Sequence, residues 1–563
     1  MRELIYRLAS NPLLFMGIAI ASIFANILAL ASPLFVIQVL NRYVAQGVNA
    51  TLLTLVTGVL LAVIFEFIFR QIRLKLAGAI SERTNSKMSV ASYSLLLKAK
   101  ASALERIPVG QRNQITGSAQ MVETAYGASN IATVFDVPFS LLFIGVLYLL
   151  SPVLAGVTGL FVVAVYVVGH YGARVHQRLA SQLLRESVSS NTLVSTACEQ
   201  IDTVRGFNAY RFLQKAWVHT LGKTTKSRQS GEMSQSIMNT ISQSASALLG
   251  VAIISVGAMR VVDGSLDVGS MIGANILAAR ALMPIIRLAQ LGVIFAGAKE
   301  GLRQLREFSA IPQEAEGGSV KPNYTGAIEF KDAAFAYPGS STPVFESFSF
   351  TIKPNTITVV CGENGAGKST LARILAGVLD LSRGQVLVDG LDLQQASLNW
   401  WRTQIAYLPQ EPKLLNATIR ENILVAAPET DEARLSQVVQ SAGLSKYLDE
   451  SADGLESQIT NAGASLSLGI RRRIALARAL VSACKVAIFD EPTDGLDREG
   501  VASIYAVMKN LSAQGCSIIV ISHDAKLIKG AGQVVDLNEK PTPRITQRTH
   551  TSTTSPTDVG GAS

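Results

Sequence analysis

Six long apolar stretches in the N-terminal half of the chain constrain its fold more than any other feature. A helix needs about 20 consecutive apolar residues to cross the ~30 Å hydrocarbon core of a bilayer. Charged residues make up only 16% of the chain, well below their share in an ordinary soluble protein. The sequence therefore predicts membrane-spanning helices, arranged as three pairs, at 13–40, 52–69, 131–150, 153–168, 237–262 and 268–296.

The connections between these stretches alternate in length and in charge. The long connections, 70–130 and 169–236, are polar and rich in Lys and Arg, whereas the short ones carry only Arg42 and Arg260 near their ends. Lys and Arg favour the cytoplasmic side of a membrane, so both termini and both long connections are expected in the cytoplasm. The net charge of +9 thus indicates topology rather than nucleic-acid binding. Few Gly or Pro residues interrupt the long connections, which predicts helices that extend the spans and turn at short crosswise helices near 104–113 and 202–213.

A few charged residues lie inside the predicted spans, where desolvation makes them costly. Glu66 precedes Arg70 by four residues, a spacing that suits an ion pair on one helix face and favours a structural role over a transport role. Arg280 and Arg287 share a face of the sixth span, and Pro284 is expected to bend the helix between them. The two arginines either line a wet cavity, where they would suit an acidic polypeptide, or lock two helices together.

A glycine-rich loop in the second half follows a β-branched apolar segment and precedes a helix-forming one. It reads GENGAGKST and fits the pattern G-x-x-x-x-G-K-[ST]. Glycines let consecutive backbone N–H groups converge on an anion, and a helix N-terminus adds partial positive charge. Lys368 is expected to reach the outer phosphates of a nucleotide, and the Ser369 hydroxyl to hold Mg²⁺. The predicted nucleotide-binding residues are Gly362, Glu363, Asn364, Gly365, Ala366, Gly367, Lys368, Ser369 and Thr370.

Two carboxylates follow a second predicted strand. The segment 486–489 is apolar and leads into Asp490, which is placed to hold Mg²⁺, and Glu491, which is placed to polarise the water that attacks the γ-phosphate. Gln410, about forty residues past the phosphate loop, is a candidate for contacting both Mg²⁺ and that water.

Two ring-bearing side chains complete the predicted nucleotide site. His523 follows the apolar strand 518–521 and is a candidate sensor of the γ-phosphate. Tyr337 precedes a Pro-Gly turn and is expected to stack on the adenine ring. The four cysteines have no metal-ligand spacing, which predicts free thiols.

The order of these motifs resembles that of the ATP-binding-cassette family. In chain order they are Tyr337, the loop 362–370, Gln410, Asp490 with Glu491, Asp497 and His523. The resemblance assigns Asp497 to the D-loop and implies ATP and Mg²⁺ as cofactors. It also implies a dimer, most simply a homodimer with a heterodimer as the alternative, in which each nucleotide lies between two subunits.

The signature motif departs from the family pattern LSGGQ. Here 466–470 reads LSLGI, so Ser467 and Gly469 remain and the resemblance directs them at the nucleotide of the opposite subunit. Leu468 replaces a glycine where close backbone approach is usual, and Ile470 removes a polar side chain. This departure predicts slow but real ATP turnover.

Three segments of the membrane half, 33–40, 135–139 and 279–284, resemble the type I secretion exporters of that family. The resemblance implies export of a polypeptide from the bacterial inner membrane, with a periplasmic adaptor protein and an outer-membrane channel as partners. The first span begins near Leu13, which leaves no room for an N-terminal peptidase-like domain and is expected of the protease- and adhesin-exporting branch. Export of a lipid, drug or small peptide, and a regulatory half-transporter with low ATPase activity, are the alternatives.

Together these features predict a multidomain protein. Residues 1–310 are expected to form an all-α, six-helix transmembrane domain in contact with membrane lipids, and 326–540 an α/β P-loop nucleotide-binding domain in the cytoplasm. The tail, 541–563, is rich in Ser, Thr, Pro and Gly and is expected to be disordered. Binding of nucleic acid is not expected.

Overall fold

The structure, a computed structural model, describes residues 2–44 and 49–547. They form two compact units. One consists of the residues up to Ala99 together with Leu104–Pro312, and the other of Lys100–Ala103 together with the residues from Gln313 onward. The first unit is helical, whereas the second carries both β-sheets.

Twelve α-helices precede the first strand in the part of the chain that the structure describes. A π-helical segment, Val39–Val44, follows the third of them. The helices are α1 (Arg2–Ala9), α2 (Pro12–Leu28), α3 (Ala31–Gln38), α4 (Asn49–Lys98), α5 (Ala101–Leu104), α6 (Val109–Ala125), α7 (Ala128–Asp136), α8 (Phe139–Leu150), α9 (Pro152–Glu199), α10 (Ile201–Gly206), α11 (Tyr210–Val262) and α12 (Val268–Ser309).

Six helical segments among the described residues are long and apolar enough to cross a membrane, which confirms the predicted six-helix transmembrane domain. The segments after the first extend well beyond the apolar stretches, because the polar connections continue the same helices. The spans are Pro12–Val44, Ala50–Lys98, Val109–Leu150, Pro152–Glu199, Tyr210–Val262 and Val268–Ser309.

The first of the two short helices predicted within the long connections lies earlier than the sequence predicts. It is α5, and the region 104–113 instead contains the start of α6, which begins directly after Pro108. A proline disfavours the helical conformation of the residue before it, so the chain turns there and a new helix starts after the ring. The second short helix, α10, overlaps its predicted region, although α11 already begins at Tyr210.

Helices α9 and α12 pack closely through small residues. A Cβ atom added to Gly169 would lie 2.4 Å from Ala289 Cβ, and one added to Gly292 would lie 2.9 Å from Ala173 Cβ. Neither position therefore accepts a larger side chain without moving the two helices apart. Small residues are the usual means of close helix contact where lipid removes the hydrophobic drive for association.

The second unit is an α/β domain, as predicted, and helices lie between most of the strands after the third. Its strands are β1 (Ile328–Phe335), β2 (Phe345–Ile352), β3 (Ile357–Cys361), β4 (Arg383–Val388), β5 (Leu391–Asp392), β6 (Ile405–Leu408), β7 (Val486–Asp490), β8 (Ser517–Ile521), β9 (Gln533–Asp536) and β10 (Arg544–Gln547). Its helices are α13 (Lys368–Leu375), α14 (Leu398–Gln404), α15 (Ile419–Leu424), α16 (Glu432–Ser441), α17 (Ser445–Glu450), α18 (Leu468–Leu480), α19 (Arg498–Ala513) and α20 (Ala525–Gly530).

Two sheets organise this unit. The smaller is antiparallel with the order β2-β1-β4-β5. The larger has the order β10-β9-β3-β8-β7-β6, and all of its strands except β10 run parallel. Alternate residues of β7 and β8 enter two separate buried clusters, one containing Ile488 and Ile519 and the other Phe489 and Val520. Burial on both faces explains why these strands read as continuous apolar runs.

The prediction of a disordered tail from residue 541 is wrong for Arg544–Gln547. These residues form β10, which pairs antiparallel with β9 from Arg544 opposite Asp536 to Gln547 opposite Gln533. The added strand gives the main chain of β9 hydrogen-bond partners that it would lack at a sheet edge. Composition alone did not indicate this strand, since it holds a single large apolar residue. The rest of the predicted tail, 548–563, lies outside the described residues.

Residues before the predicted start of the nucleotide-binding domain also belong to the second unit. Ser319 forms an isolated parallel bridge with Ala396, and Glu314 accepts two hydrogen bonds from the Arg402 guanidinium at 2.7 and 2.8 Å. The segment 313–325 is therefore fixed to the sheet domain by backbone and side-chain contacts. The functional domain limits at 310 and 326 stay predictions.

Candidate functional site

The candidate site lies at one edge of the larger sheet. Strands β3, β8, β7 and β6 are parallel neighbours, so their carboxyl ends meet at the same edge. The glycine loop and Glu491 directly follow β3 and β7, and His523 and Gln410 lie two residues after the ends of β8 and β6. In open parallel sheets this edge is where ligands bind. The topology thus brings together four groups that are far apart in the sequence.

The glycine loop has the conformation that only glycine adopts readily. Gly362, Gly365 and Gly367 have φ values of +155°, +86° and +103°. Gly367 caps α13, and a Cβ atom there would lie 2.2 Å from Val344 Cγ1. Both backbone conformation and space therefore require glycine at this position. The loop leads directly into the N-terminus of α13, where unpaired N–H groups and the helix dipole favour an anion.

Lys368 is the first residue of α13, and its ammonium group lies against the loop. Its Nζ donates to the carbonyl oxygens of Gly362 at 2.7 Å and Glu363 at 3.3 Å. The same Nζ lies 3.8 Å from Glu491 Oε1, and both side chains are largely buried. A phosphate in the loop would therefore meet a cation whose position is already defined.

Asp490, the last residue of β7, is a buried carboxylate next to the loop. Its side chain accepts a hydrogen bond from Ser369, while its Oδ1 has no partner in the described part of the chain. Burial raises the pKa of Asp490, because no full counter-charge compensates for the lost hydration. A buried carboxylate oxygen beside a hydroxyl is the donor set that Mg²⁺ prefers, so these two residues fit the predicted metal.

Glu491 lies between a lysine and a histidine. Its carboxylate is 3.8 Å from Lys368 Nζ, and its Oε2 is 3.1 Å from His523 Nδ1. The Glu491 N–H donates to Ile521 O at 2.9 Å, and its φ of +46° turns the side chain away from the strand direction. Glu491 is 5% exposed whereas the His523 side chain is 78% exposed, so the histidine closes the site from the solvent side.

Tyr337 and Gln410 occupy the rim of the site. The Tyr337 hydroxyl lies 2.9 Å from Thr370 Oγ1, and its ring meets Phe335 edge-on at 5.0 Å. The tyrosine is thus tied to α13 with its ring still partly exposed. The Gln410 side chain is exposed, and its backbone oxygen accepts a hydrogen bond from Arg472 Nη2 at 3.0 Å.

Arg472 is a residue of this region that the sequence analysis missed. It is 4% exposed, and its Nη2 reaches both Gln410 O and, at 3.4 Å, Asp494 Oδ2. The guanidinium therefore joins the segment after β6 to the segment after β7. The signal for it was available, because Arg472 lies in register with the apolar face of α18, where an unpaired arginine would be costly.

The structure does not bring Ser467, Gly469 or Asp497 to the glycine loop. Ser467 caps α18 and accepts from Ile470 N at 3.3 Å, and Asp497 caps α19 and accepts from Gly500 N at 2.8 Å. That N–H, with the Arg473 guanidinium, lowers the pKa of Asp497. Within the described ranges none of the three forms a hydrogen bond to residues 362–370. Their roles toward a nucleotide stay predictions.

Comparisons with known proteins match both halves of the chain. The model for the "ABC transporter transmembrane region" matches residues 14–285, and that for "ABC transporter" matches residues 345–494. The exotoxin translocation ATP-binding protein PaxB of Pasteurella aerogenes is 27% identical over 93% of this chain and 73% of its own length. The leukotoxin translocation ATP-binding protein LktB of Mannheimia haemolytica is 28% identical over 93% of this chain and 74% of its own length.

A solved structure reproduces the fold of both units. A bacterial Atm1-family ABC exporter with ATP bound superimposes with a TM-score of 0.81 over 94% of this chain and 95% of that chain. The two sequences are only 19% identical, so the likeness concerns the fold.

Proposed function

Since the chain belongs to the ABC transporter family, we propose that it is an ATP-driven exporter of a polypeptide in a type I secretion system. The family comprises ATP-hydrolysing transporters, and the chain is a multi-pass membrane protein. The observation that carries the proposal is the placement of Glu491 between Lys368 and His523, beside the unpaired Asp490 oxygen. This arrangement suits activation of a water molecule that attacks the γ-phosphate of ATP.

The residues of the site divide the chemistry between them. The N–H groups of the glycine loop and Lys368 bind the phosphates, with Lys368 exchanging its two carbonyl contacts for phosphate oxygens. Ser369 and Asp490 hold Mg²⁺, assisted by Gln410, and the metal when bound neutralises phosphate charge. Glu491 polarises the attacking water, and His523 orients its carboxylate from the exposed side. Tyr337 stacks on the adenine, worth about 1–3 kcal/mol by analogy with base stacking.

A second subunit completes each site. Ser467, Gly469 and Asp497 are exposed or at helix starts, so they are available to a nucleotide bound by the other subunit. Ser467 has a local cap bond, and Asp497 has a local cap bond and an ion pair with Arg473 at 3.0 Å. A homodimer uses the same surface twice, and a heterodimer with a complete signature motif is the alternative. ATP binding then closes two nucleotide-binding domains and hydrolysis reopens them.

The polypeptide cargo is inferred from the relatives. PaxB and LktB are named as translocation proteins of an exotoxin and a leukotoxin, and they align with nearly the whole chain. By the same inference the protein lies in a bacterial inner membrane and works with a periplasmic adaptor protein and an outer-membrane channel. Export of a lipid, drug or small peptide is the alternative within the same fold.

Leu468 favours a second candidate function, a regulatory half-transporter with little ATPase activity. Its side chain begins α18 at the position where the family motif has glycine, and it packs beside Gly495. A leucine here increases the distance between the helix start and a phosphate of the opposite subunit.

ATPase measurements on the purified full chain separate these functions. We expect MgATP hydrolysis that falls about 10²–10⁴-fold in Glu491→Gln, as for loss of a general base, with nucleotide binding retained. Glu499→Gln, an exposed substitution in α19, is the matched control and should leave the rate unchanged. Hydrolysis no faster than that of Glu491→Gln would reject the pump and support the regulatory subunit. Export is then tested in proteoliposomes: an unfolded reporter polypeptide that has been transported should become protected from added protease only when ATP is present.

A further inference from the structure

A cavity in the helical unit is lined by three arginines. Arg70 of α4 and Arg280 and Arg287 of α12 surround a volume of about 350 Å³, together with Asn26, Asp136 and apolar residues such as Phe143. We call this space the arginine cavity. All of its lining residues belong to one compact unit.

The carboxylates near the arginine cavity are already in use. Asp136 is 6% exposed, and its two oxygens accept from Arg73 at 2.5 and 3.3 Å, while Asn26 Nδ2 donates to Oδ1 at 3.0 Å. Glu66 Oε1 accepts from Arg70 Nε at 2.8 Å, which is the ion pair expected from the sequence. Each carboxylate is thus already paired with an arginine of α4, Asp136 with Arg73 and Glu66 with Arg70.

Arg280 and Arg287 therefore carry excess positive charge. Arg280 Nη1 lies 4.0 Å from the shared Glu66 oxygen, too far for a hydrogen bond, so this contact is a weak helix–helix lock. Arg287 forms no ion pair or hydrogen bond with any residue in 2–44 or 49–547. Four arginines thus face two carboxylates. Uncompensated arginines in a membrane domain mark a pathway or ligand site.

The spacing of the two arginines along α12 favours an extended ligand that carries two separated negative charges. They are seven residues apart on α12, which separates them by about 10.5 Å along the axis at 1.5 Å per residue. An extended polypeptide advances about 3.3–3.6 Å per residue, so carboxylates three residues apart are separated by nearly the same distance. Two carboxylates at this spacing match the two arginines one to one, whereas a lipid phosphate supplies a single anionic centre for both.

We propose that the arginine cavity binds an acidic segment of the transported polypeptide in extended form. Arg280 and Arg287 each take one carboxylate, and the apolar wall around Phe143 and Met283 accommodates the intervening chain. The inference rests on the proposed function and adds to it the chemical class of the cargo.

Peptide binding to the full chain in nanodiscs of zwitterionic lipid tests the inference. The probe is a rhodamine-labelled peptide of Glu-Gly-Ser repeats, compared with Gln-Gly-Ser repeats of equal length. We expect the acidic peptide to bind at least about tenfold more tightly than the neutral one, and Arg280→Gln and Arg287→Gln each to weaken it about tenfold. Arg287→Lys, which keeps the charge, should retain part of the affinity, and salt should weaken binding.

The controls make the result decisive. Arg306→Gln removes an exposed arginine from α12 outside the arginine cavity and should change nothing. Equal binding of both peptides, or acidic-peptide binding unchanged in both glutamine variants, would overturn the proposal. Complete displacement of the peptide by phosphatidylglycerol in the nanodisc would also overturn it, in favour of a lipid headgroup. If the reporter polypeptide is exported but acidic peptides bind no better than neutral ones, the proposed role of the arginine cavity is rejected and the proposed function still holds.

Discussion

Replacing Arg73 by Met is expected to destabilise the helical unit by about 3–5 kcal/mol, because it leaves a buried carboxylate uncompensated. The partner is Asp136, which is 63 residues away in the sequence and 6% exposed. Two unit charges about 4 Å apart interact by about 4 kcal/mol at an effective dielectric constant of about 20. This Coulomb figure agrees with the range measured for breaking buried ion pairs. Among the residues that the structure describes, Asn26 would then be the one remaining donor to the carboxylate.

The double variant Arg73→Met, Asp136→Leu distinguishes the contribution of the ion pair to the free energy of unfolding from that of side-chain packing. We expect it to lie within about 1 kcal/mol of the wild type, since replacing both members of a buried pair by apolar groups is often neutral. Asn26 would keep its bond to Ser22 O at 2.9 Å, so the double change leaves no wholly unpaired amide. The cycle therefore predicts a large coupling energy between the two positions.

Unfolding of the variants by SDS titration in mixed micelles, followed by circular dichroism, measures these free energies, because the unit is helical. Arg306→Met, at an exposed position of α12, is the control and should cost little. A single variant that costs less than about 1 kcal/mol, or a double variant whose cost equals the sum of the singles, would refute the reasoning.

Three further predictions concern the nucleotide-binding unit. Gly367→Ala should abolish MgATP binding and lower the melting temperature, because the added Cβ would lie 2.2 Å from a methyl group of Val344. Gly365→Ala is the comparison: its φ is also positive, but its added Cβ would meet nothing within 4 Å, so the melting temperature should fall less. Leu468→Gly should raise the ATPase rate up to about tenfold by restoring close backbone approach, and an unchanged rate would show that the signature departure is harmless. Tyr505→Phe should weaken the pH dependence of stability at both extremes. The Tyr505 hydroxyl, 2.7 Å from Asp524, lowers the pKa of Asp524, whose stabilisation is present above its unfolded pKa and is lost as the pH falls through the lowered value. Burial and that contact raise the pKa of Tyr505 to about 12, so its stabilisation is present below its unfolded pKa of 10.0 and is lost as the pH rises through about 12. Thermal unfolding across pH checks both limbs, and parallel curves for the two proteins would contradict the assignment.

Local sequence patterns predicted much of the candidate site. The glycine loop, the strand before Asp490 and Glu491, and the strand before His523 each carry their own signal in consecutive residues. Parallel pairing of β3, β8 and β7 then brings their ends together, as expected for this class of fold. The contact between Tyr337 and Thr370 was not predicted, because it depends on how a loop from the smaller sheet meets α13.

The sequence by itself determined the six spans and the phosphate loop. Helix length, hydropathy and the G-x-x-x-x-G-K-[ST] pattern act over short distances, where the chain has few alternatives. Only the tertiary structure decided that Arg73 pairs with Asp136 while Arg287 has no partner among the described residues. It also decided that Arg472 joins Gln410 to Asp494 and that residues 544–547 complete the sheet. The physical reason is that a charge or a sheet edge is satisfied by whichever distant group the packing of helices and strands places within hydrogen-bond reach. The order of residues along the chain does not specify which distant groups come within that reach.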